Sequence, residues 1–494
     1  MNLVKYLDRW ANRTPLAIAL RYADDELTYA ELDLRVSGVA TDLTEAGVGR
    51  GDRVAVLAGS NVKFVAAVYG IWKLGAIVVL INPHLSASDV ARQTRHAGAA
   101  IVVVDDDPDR WSSASAIGDV QVLHTGNRRG PAVPAVDVDP ESIAVIAYTS
   151  GSTGVAKGVA HTHEAMRTQV EVVGEHYAVT SKDRVLSLLP PFHLSIFVGG
   201  PLLALSAGVA ARVITPYRAI DVVRAIEQDG TTITTAVPSF FHDLHARSGM
   251  GANFDLSSLR VVASGGAPLP DQLRDDLEQR HGFRILQFYG MTEGPAILTC
   301  DPLTGSRREG SVGRALPHIS LSIVNEHHDE VPAGAVGEVC VGPKGEGVHA
   351  GRYKTMAQYC GMPEETEEAL RGGLLHTGDI GYLDEEGFLY LLDRKKDVII
   401  RGGMNIYPRE IELVLSGDSR IAECVVVGSP HARYGEVPVA YVRLRPGTVA
   451  QTEELVRITN SRLSSLQQLA AVHLVENFPR NSLGMVLKRD LARD

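Results

Sequence analysis

The alternation of short apolar runs with helical segments is the feature that most constrains the fold of this chain. The runs at residues 54–59, 99–105, 143–148 and 259–266 are short and apolar and end at turn-forming residues, which is typical of buried strands. Residues 64–74 and 220–228, by contrast, carry apolar side chains at helical spacing. Strands that alternate with helices predict mixed or parallel sheets covered by helices, and therefore an α/β fold.

The chain length and a change of pattern near residue 393 predict more than one domain. At about 150 residues per domain, 494 residues allow two to four domains. We expect a large N-terminal domain over residues 1–392, followed by the charged segment 393–397. The remaining residues, 397–494, predict a small α+β domain with strands at 422–427 and 437–444 and a helix at 453–469.

Composition excludes several classes of protein. The net charge of −11 argues against a nucleic-acid binder, since neutralising phosphates requires a basic face. Four scattered cysteines, without metal-ligand spacing, argue against a zinc site and fit free thiols in a reducing cytoplasm. The first residues lack the apolar region of a signal peptide, and apolar stretches such as 76–81 are too short to span a membrane.

The strongest local motif is the segment 148–158, YTSGSTGVAKG. It follows a predicted strand and precedes a helix predicted at 164–173 with Thr162 as its N-cap. Glycine backbone N–H groups, hydroxyls and Lys157 together suit phosphate oxygens. The segment is not a Walker A loop, because Ala156 stands where that motif requires glycine. Taken alone, a flexible surface loop explains it equally well.

Three further motifs follow along the chain. Residues 287–294, QFYGMTEG, offer an aromatic ring for stacking and hard oxygen ligands for Mg²⁺, although such a run is also typical of a strand end. The HTGD motif at 376–379 places an Asp that can accept both ribose hydroxyls or simply form a turn. Residues 401–412 combine a Gly–Gly pair with Pro408, which is expected to open a helix.

These four motifs, in this order, resemble the adenylate-forming superfamily of acyl-CoA ligases, nonribosomal adenylation domains and beetle luciferases. The resemblance extends from residue 27 to residue 484. It implies two half-reactions. In the first, a carboxylate attacks the α-phosphate of ATP and gives acyl-AMP and pyrophosphate. In the second, a thiol, usually that of coenzyme A, attacks the acyl-AMP carbonyl.

The resemblance also assigns nucleotide-binding positions. Thr292 and Glu293 lie at phosphate and magnesium, with Glu293 as the metal ligand, while Asp379 binds ribose and Arg394 reaches the nucleotide. The triphosphate and the adenine are implied to contact Thr149, Ser150, Gly151, Ser152, Thr153, Gly154, Lys157, Gly265, Gly266, Ala267, Pro268, Tyr289, Gly290 and Met291.

The C-terminal domain is implied to move between the half-reactions. Residues 393–396 form the hinge, and Lys396 falls where the family uses Asp or Lys. Gly402 and Gly403 are implied to line the tunnel for the pantetheine arm of coenzyme A.

His193 matches the family position between the acyl pocket and this tunnel. A lone histidine among apolar residues is more often a core residue, but the family position reverses that preference. The segment 189–197 lacks the Asp with which amino-acid-activating domains pair the substrate amine. Because an unpaired buried ammonium is costly, we expect a carboxylic acid without an α-amine.

One departure from the family pattern stands near the C-terminus. Most members carry a P-[KR]-[TN]-x-x-G-K-[IV] segment there, which in this chain begins at Pro479. The lysine after the glycine reaches the substrate carboxylate and the α-phosphate. Here Met485 follows Gly484. A thioether has no charge and donates no hydrogen bond. We therefore expect impaired adenylation, intact thioester formation, and a separate enzyme that supplies the acyl-adenylate.

Several alternatives stay open. Lys488 could supply the missing charge, the lysine could have been replaced deliberately, or adenylation could be slow but sufficient with Mg²⁺ and Lys157. The function is then that of an ordinary two-step acyl-CoA or acyl-carrier-protein synthetase. A third hypothesis is that the protein is not catalytic and only binds acyl-AMP or a nucleotide. The sequence does not identify the acyl group or the oligomeric state.

Overall fold

Two large sheets are built from the apolar runs. The computed structural model describes residues 1–22, 25–59, 61–124, 128–149, 156–188, 190–214, 218–248, 254–480 and 486–491. These residues divide into two compact units, the first comprising 1–321 and 341–376 and the second 322–340 and 377–494.

Parallel strands dominate the first sheet of the first unit. Its seven strands run in the order β18-β8-β7-β4-β3-β5-β6; β8 is antiparallel to both of its neighbours, β7 and β18, and the other neighbouring strands are parallel. These strands are β3 (Arg53–Leu57), β4 (Ile77–Leu80), β5 (Ile101–Val104), β6 (Gln121–His124), β7 (Ile143–Thr149), β8 (Lys157–Thr162) and β18 (Gln358–Tyr359).

The second sheet of this unit has nine strands in the order β15-β14-β13-β12-β11-β9-β10-β1-β2. The strands from β13 to β1 are parallel, and the two ends of the sheet are antiparallel. The strands are β1 (Ile18–Tyr22), β2 (Asp25–Thr28), β9 (Arg184–Ser187), β10 (Ala210–Val213), β11 (Ile233–Ala236), β12 (Val261–Ser264), β13 (Ile285–Tyr289), β14 (Thr299–Cys300) and β15 (Arg314–Ala315).

Helices cover these sheets, and the crossover helices exclude water from the apolar strands between them. The helices are α1 (Lys5–Arg13), α2 (Tyr29–Glu45), α3 (Val62–Lys73), α4 (Ala87–Ala97), α5 (Pro108–Ser115), α6 (His163–His176), α7 (Leu194–Phe197), α8 (Leu203–Ala207), α9 (Ala219–Asp229), α10 (Pro238–Ser248), α11 (Asp271–His281) and α12 (Pro363–Ala369). A π-helical segment, Val198–Leu202, joins α7 to α8. The predicted N-cap of α6 is confirmed, because the Thr162 side chain accepts a hydrogen bond from the Ala165 N–H.

The second unit contains most of a four-stranded sheet in the order β16-β17-β19-β20 and a five-stranded sheet built on β24. The four strands are β16 (Ile319–Val324), β17 (Gly337–Pro343), β19 (Leu375–Leu383) and β20 (Leu389–Arg394). The other elements are β21 (Ile399–Arg401), β22 (Met404–Ile406), α13 (Pro408–Ser416), β23 (Ile421–His431), β24 (Gly435–Leu444), α14 (Thr452–Asn460), β25 (Ala471–Leu474) and α15 (Lys488–Leu491). Buried Ile399, Ile411 and Val426 contribute to its core.

The predicted strands and helices are confirmed, with two corrections. First, the glycine-rich segment does not lead directly into α6, because strand β8 intervenes and pairs antiparallel with β7. Second, the helix predicted at 453–469 is α14, which ends at Asn460. The Asn460 side chain is the physical reason: it donates to the Leu469 carbonyl at 3.0 Å and accepts from the Leu469 N–H at 2.8 Å, closing a loop instead of another helical turn.

The α/β fold expected from the sequence, with a smaller C-terminal part, is confirmed. The domain boundary and hinge expected at residues 393–396 stay a prediction. In the second unit, residues Lys395–Asp397 form a single 3₁₀ turn between β20 and β21.

Candidate active site

The carboxyl ends of four neighbouring parallel strands bring most of the predicted site residues of the first unit to one edge of the nine-stranded sheet. Strands β9, β11, β12 and β13 are consecutive neighbours. The segment with His193 follows β9, the Gly265–Gly266 turn follows β12, and the motif from Tyr289 to Glu293 follows β13. In an open α/β sheet this edge is where ligands bind.

The glycines at this edge are required by close approach and by backbone conformation. A Cβ on Gly265 would lie 2.3 Å from the ring of Phe288, and Gly266 has φ +81°. A Cβ on Gly290 would lie 1.7 Å from the carbonyl oxygen of Ala296. Glycine is therefore required at 265 and 290 by space and at 266 by backbone conformation, and residues 266–268 after β12 are exposed.

Lys157 and Tyr359 of the seven-stranded sheet form a connected group with Glu293, which follows β13 of the nine-stranded sheet. Lys157 begins β8, and its Nζ lies 4.5 Å from the centroid of the Tyr359 ring. The Tyr359 hydroxyl donates to Glu293 Oε1 at 2.9 Å. Thr149 ends β7 opposite Lys157 in the register, whereas Ser150, Gly151, Ser152, Thr153 and Gly154 lie outside the described residues.

Thr292 is held by a buried histidine. His161 Nε2 lies 2.6 Å from the Thr292 carbonyl oxygen, and its ring is fully buried. Burial lowers the pKa of His161 to about 4, and the carbonyl opposes this shift only in part. His161 is therefore neutral at pH 7, and its Nε2–H donates to the Thr292 carbonyl.

His193 is partly buried and packs against aromatic rings. Its ring centroid lies 4.4 Å from that of Phe192, which in turn contacts His84 at 6.4 Å. Burial first, and then the nearby His84, lower the pKa of His193 to about 4. A neutral imidazole with so low a pKa is a poor proton acceptor for a thiol of pKa about 8.5. The environment therefore suits a side chain that shapes a pocket better than one that acts as a general base.

In the second unit, the predicted ribose ligand is paired with the predicted nucleotide arginine. Asp379 and Arg394 stand opposite each other in the β19–β20 register, and Arg394 Nε lies 2.6 Å from Asp379 Oδ1. Next to them, Glu338 accepts from the Gly378 N–H at 3.2 Å and pairs with Lys395 at 3.0 Å. The Asp379 carboxylate is thus fixed and mostly buried, while the arginine extends towards solvent.

The Gly402–Gly403 pair forms the tight turn of the β21–β22 hairpin. The φ angles are +61° and +83°, and Arg401 pairs with Met404 across the turn. Among the described residues, no heavy atom lies within 4 Å of a Cβ built on either glycine, apart from their chain neighbours. The pair is therefore required by backbone conformation, as in a type I′ turn, and its outer surface is open. Lys396, the predicted hinge residue, is exposed.

Lys488 lies in a pocket of acids within the second unit. Its Nζ is 3.6 Å from Asp393 Oδ1 and 3.4 Å from Glu412 Oε1. Burial works against the charge of Lys488, but Glu412, Asp393 and Asp397 outweigh it and raise the lysine pKa. The Lys488 ammonium is therefore already paired with two neighbouring carboxylates. Met485 lies outside the described residues.

The described residues also bear on a metal site and on membrane insertion. Within the described ranges, no group of three or more His, Cys, Asp and Glu side chains could hold a metal ion. A metal at Glu293 would therefore need phosphate or water oxygens as its other ligands. No helix in the same ranges is long and apolar enough to cross a membrane.

Tyr359 and Glu338 contact candidate site residues, and no sequence motif indicates either of them. Tyr359 reaches the site because β18 pairs with β8, across about 200 residues of sequence. Glu338 lies on β17, beside β19 in the four-stranded sheet. Neither lies in a motif that points to chemistry, so a prediction would have required knowledge of strand pairing.

Comparison with known proteins places this site in a family. The model of the family described as AMP-binding enzyme matches residues 7–351, and that of the AMP-binding enzyme C-terminal domain matches residues 410–484. Indoleacetate–CoA ligase of Aromatoleum aromaticum is 32% identical, with 99% of this chain and 98% of the relative covered. The 2-succinylbenzoate–CoA ligase of Geobacillus kaustophilus is 33% identical, with 99% and 97% covered.

A solved structure agrees along the whole chain. The o-succinylbenzoate coenzyme A synthetase of Bacillus subtilis, in complex with ATP and magnesium ion, has a TM-score of 0.88 and 29% sequence identity, with 99% of each chain covered. The strand-end site, the two matched family models and the full-length relatives agree, and the chain belongs to the AMP-binding enzyme family.

Proposed function

We propose that this protein is an acid–thiol ligase of the acyl-CoA type that is specialised for the second half-reaction. It forms an acyl-CoA thioester from the acyl-adenylate of a carboxylic acid without an α-amine, and it adenylates free acid poorly. The observation that carries the proposal is Met485, which follows Gly484 where the family resemblance expects lysine. Relatives named as CoA ligases, at about 32% identity over the full length, support the reaction class.

The missing charge matters to one half-reaction only. When a carboxylate oxygen attacks the α-phosphate and pyrophosphate leaves, negative charge from both reactants gathers in the transition state. One well-placed donor there is worth about 3–4 kcal/mol, or roughly 10²–10³-fold in rate. When a thiolate attacks the acyl carbonyl and AMP leaves, there is no triphosphate to neutralise. Met485 in place of lysine therefore slows adenylation and leaves the rate of thioester formation unchanged.

The contacts of Lys488 support the view that it does not compensate for the missing adenylation lysine. To replace the missing lysine, Lys488 would have to leave Asp393 and Glu412, both of which are mostly buried. Leaving partly buried carboxylates unpaired costs free energy of the same order as the catalytic gain. Lys488 is therefore a poor substitute.

The nucleotide roles follow from the chemistry of the described groups. Lys157 supplies a point charge for phosphate oxygens, Tyr289 a ring face for adenine, and Asp379 two acceptor oxygens for ribose hydroxyls. Glu293 fits Mg²⁺: its carboxylate is a hard oxygen ligand, Tyr359 fixes Oε1, and no described residue donates to Oε2. When bound, Mg²⁺ would neutralise phosphate charge.

The acceptor side is assigned to His193 and the Gly402–Gly403 turn. A neutral His193 shapes the acyl pocket, and the open turn offers backbone to the pantetheine arm of coenzyme A. The segment from Pro190 to Phe197 contains no acidic residue to pair with an amine, which favours acids such as arylacetic or arylcarboxylic acids over amino acids.

The ordinary two-step ligase is the second candidate function. It is favoured by the relatives' names, since each is called a CoA ligase without qualification. In this reading Mg²⁺ and Lys157 carry enough positive charge for adenylation, and no partner enzyme is needed.

The experiment separates the two half-reactions. Synthetic adenylates of indoleacetate and 2-succinylbenzoate, the acids in the relatives' names, are each supplied with coenzyme A, and the corresponding acids with ATP and Mg²⁺. The proposal expects thioester from at least one adenylate and slow pyrophosphate exchange with its acid. Exchange as fast as thioester formation would favour the two-step ligase, whereas no thioester from any adenylate would favour a binding protein.

A further inference from the structure

Tyr359 contacts two groups of opposite charge at once. The Lys157 ammonium lies over its ring face, 4.5 Å from the centroid, and the Glu293 carboxylate accepts its hydroxyl at 2.9 Å. The tyrosine is buried, with 7% of its surface exposed. One aromatic side chain therefore connects the proposed phosphate-binding cation to the proposed metal-binding anion.

The backbone around Tyr359 fixes this arrangement. In the β18–β8 pairing Tyr359 stands opposite Val159, two residues after Lys157. The Met356 N–H donates to the Glu293 carbonyl at 2.8 Å, and the Cys360 N–H donates to the Gly158 carbonyl at 2.8 Å. The three side chains are thus carried by backbone segments that are hydrogen-bonded to one another, so their spacing is a property of the fold.

Neither charge is neutralised by the other. Lys157 forms no ion pair with any carboxylate among the described residues, although Lys157 and Glu293 both contact Tyr359. A cation over an aromatic face is attracted but keeps its capacity to bind an anion. A carboxylate that accepts from a neutral hydroxyl keeps its full charge and an oxygen for a metal. A direct Lys157–Glu293 pair would remove both capacities.

We propose that Tyr359 is a positioning residue that keeps Lys157 and Glu293 from pairing, so that the lysine stays available for phosphate oxygens and the glutamate for a divalent cation. The proposal rests on the proposed nucleotide roles of Lys157 and Glu293. It adds that the ring and the hydroxyl act separately: the ring separates the charges, and the hydroxyl orients the carboxylate.

The test measures ATP binding by calorimetry, with Mg²⁺ and with the metal removed by a chelator. Tyr359→Phe keeps the ring, so metal-free ATP affinity stays at the wild-type value while the gain in affinity from Mg²⁺ falls by about tenfold. Tyr359→Leu removes the ring, so Lys157 pairs with Glu293 and metal-free affinity falls as well. Adding Glu293→Gln to Tyr359→Leu then restores metal-free affinity, because no carboxylate is left to hold Lys157.

Tyr353→Phe is the matched control. Tyr353 is also buried, and its hydroxyl has no hydrogen-bond partner among the described residues, so its removal should leave both affinities unchanged. The proposal is overturned if Tyr359→Leu binds metal-free ATP as tightly as wild type, or if Glu293→Gln restores nothing. Wild-type protein that binds no ATP under either condition would instead contradict the nucleotide site itself, and this proposal with it.

Discussion

Among single residues, the proposed chemistry depends on which lysine is free to bind phosphate oxygens and which is already paired with carboxylates. Lys157 faces an aromatic ring and no described carboxylate, whereas Lys488 is held between Asp393 and Glu412. The two lysines are therefore not interchangeable, even though each is a single cation in the sequence. Burial and partners decide which of them can serve a phosphate.

Replacing Lys488 distinguishes a structural role from a catalytic one. Lys488→Gln leaves Asp393 and Glu412 without their cation, and we expect a loss of about 1–3 kcal/mol in the free energy of unfolding. Pyrophosphate exchange should stay within about twofold of wild type at temperatures where the variant is folded, because Lys488 does not reach the reaction. Lys488→Arg retains the charge and is the control for stability. Abolished exchange in Lys488→Gln, with Lys488→Arg active, would show that this lysine does replace the missing one.

Buried neutral histidines predict a loss of stability in acid. The pKa of His161 falls from 6.5 to about 4 in the fold because the ring is fully buried. As pH falls through this range, the unfolded chain takes up the proton and the folded chain does not. The stabilisation is therefore present above pH 6.5 and is lost as the pH falls towards 4, by about 3 kcal/mol for this residue.

The check is a comparison of denaturant unfolding at pH 7 and pH 4.5. His161→Gln keeps a donor for the Thr292 carbonyl but does not titrate, so it should lose less stability than wild type over this interval. His327→Gln, at an exposed position, should behave as wild type. An equal loss in wild type and His161→Gln would mean that His161 is not held neutral.

Candidate site residues within the motifs could be named from the sequence and stay predictions, whereas those between motifs could not be named. At Gly265–Gly266 and Glu293 the residue types are compatible with nucleotide binding, and the family resemblance assigns the roles. Tyr359 has no such signal, because its place depends on the antiparallel pairing of β18 with β8. The partnership of Asp379 with Arg394 likewise depends on the β19–β20 register.

At the element scale, local side-chain hydrogen bonds decided where the predictions were wrong. The apolar runs that form β3, β5, β7 and β12 were predictable because burial on both faces leaves a continuous apolar sequence. Strand β8, KGVAHT, was missed because its polar His161 and Thr162 are buried with specific partners, which hydrophobicity does not reveal. Helix α14 ends early because the Asn460 side chain competes for backbone groups.

The β21–β22 turn yields a prediction at this scale. Both of its glycines have left-handed φ, and a Cβ there would meet no atom of the described residues within 4 Å, so we expect the penalty for Gly402→Ala to be conformational. We expect a loss of about 1–2 kcal/mol in stability from the strained φ. If the turn also carries the pantetheine arm, the KM for coenzyme A rises and acyl-AMP binding is unchanged.

Gly447→Ala is the matched control for this variant. Gly447 also has a positive φ, +79°, and an open Cβ position, but it lies in a different turn of the second unit. It should show the same loss of stability with an unchanged KM. A KM for coenzyme A that is equally unaffected in both variants would remove the turn from the acceptor site.

At the scale of the whole molecule, the two units divide the proposed work. The first unit carries Lys157, Glu293, Tyr289 and His193, which would hold the nucleotide and the acyl group. The second carries Asp379, Arg394, Gly402, Gly403 and the acid-bound Lys488. The separation explains how one replacement near the C-terminus could impair a single half-reaction, because the groups proposed for the thioester step do not include residue 485.

The most direct test of this account is the ratio of two rates in one preparation: pyrophosphate exchange with free acid and ATP, and thioester formation from the matching acyl-adenylate and coenzyme A. We predict that exchange is at least about 100-fold slower than thioester formation, and that Met485→Lys accelerates exchange without changing thioester formation. Exchange that equals or exceeds thioester formation in the wild-type protein would show that the protein is not specialised for the second half-reaction.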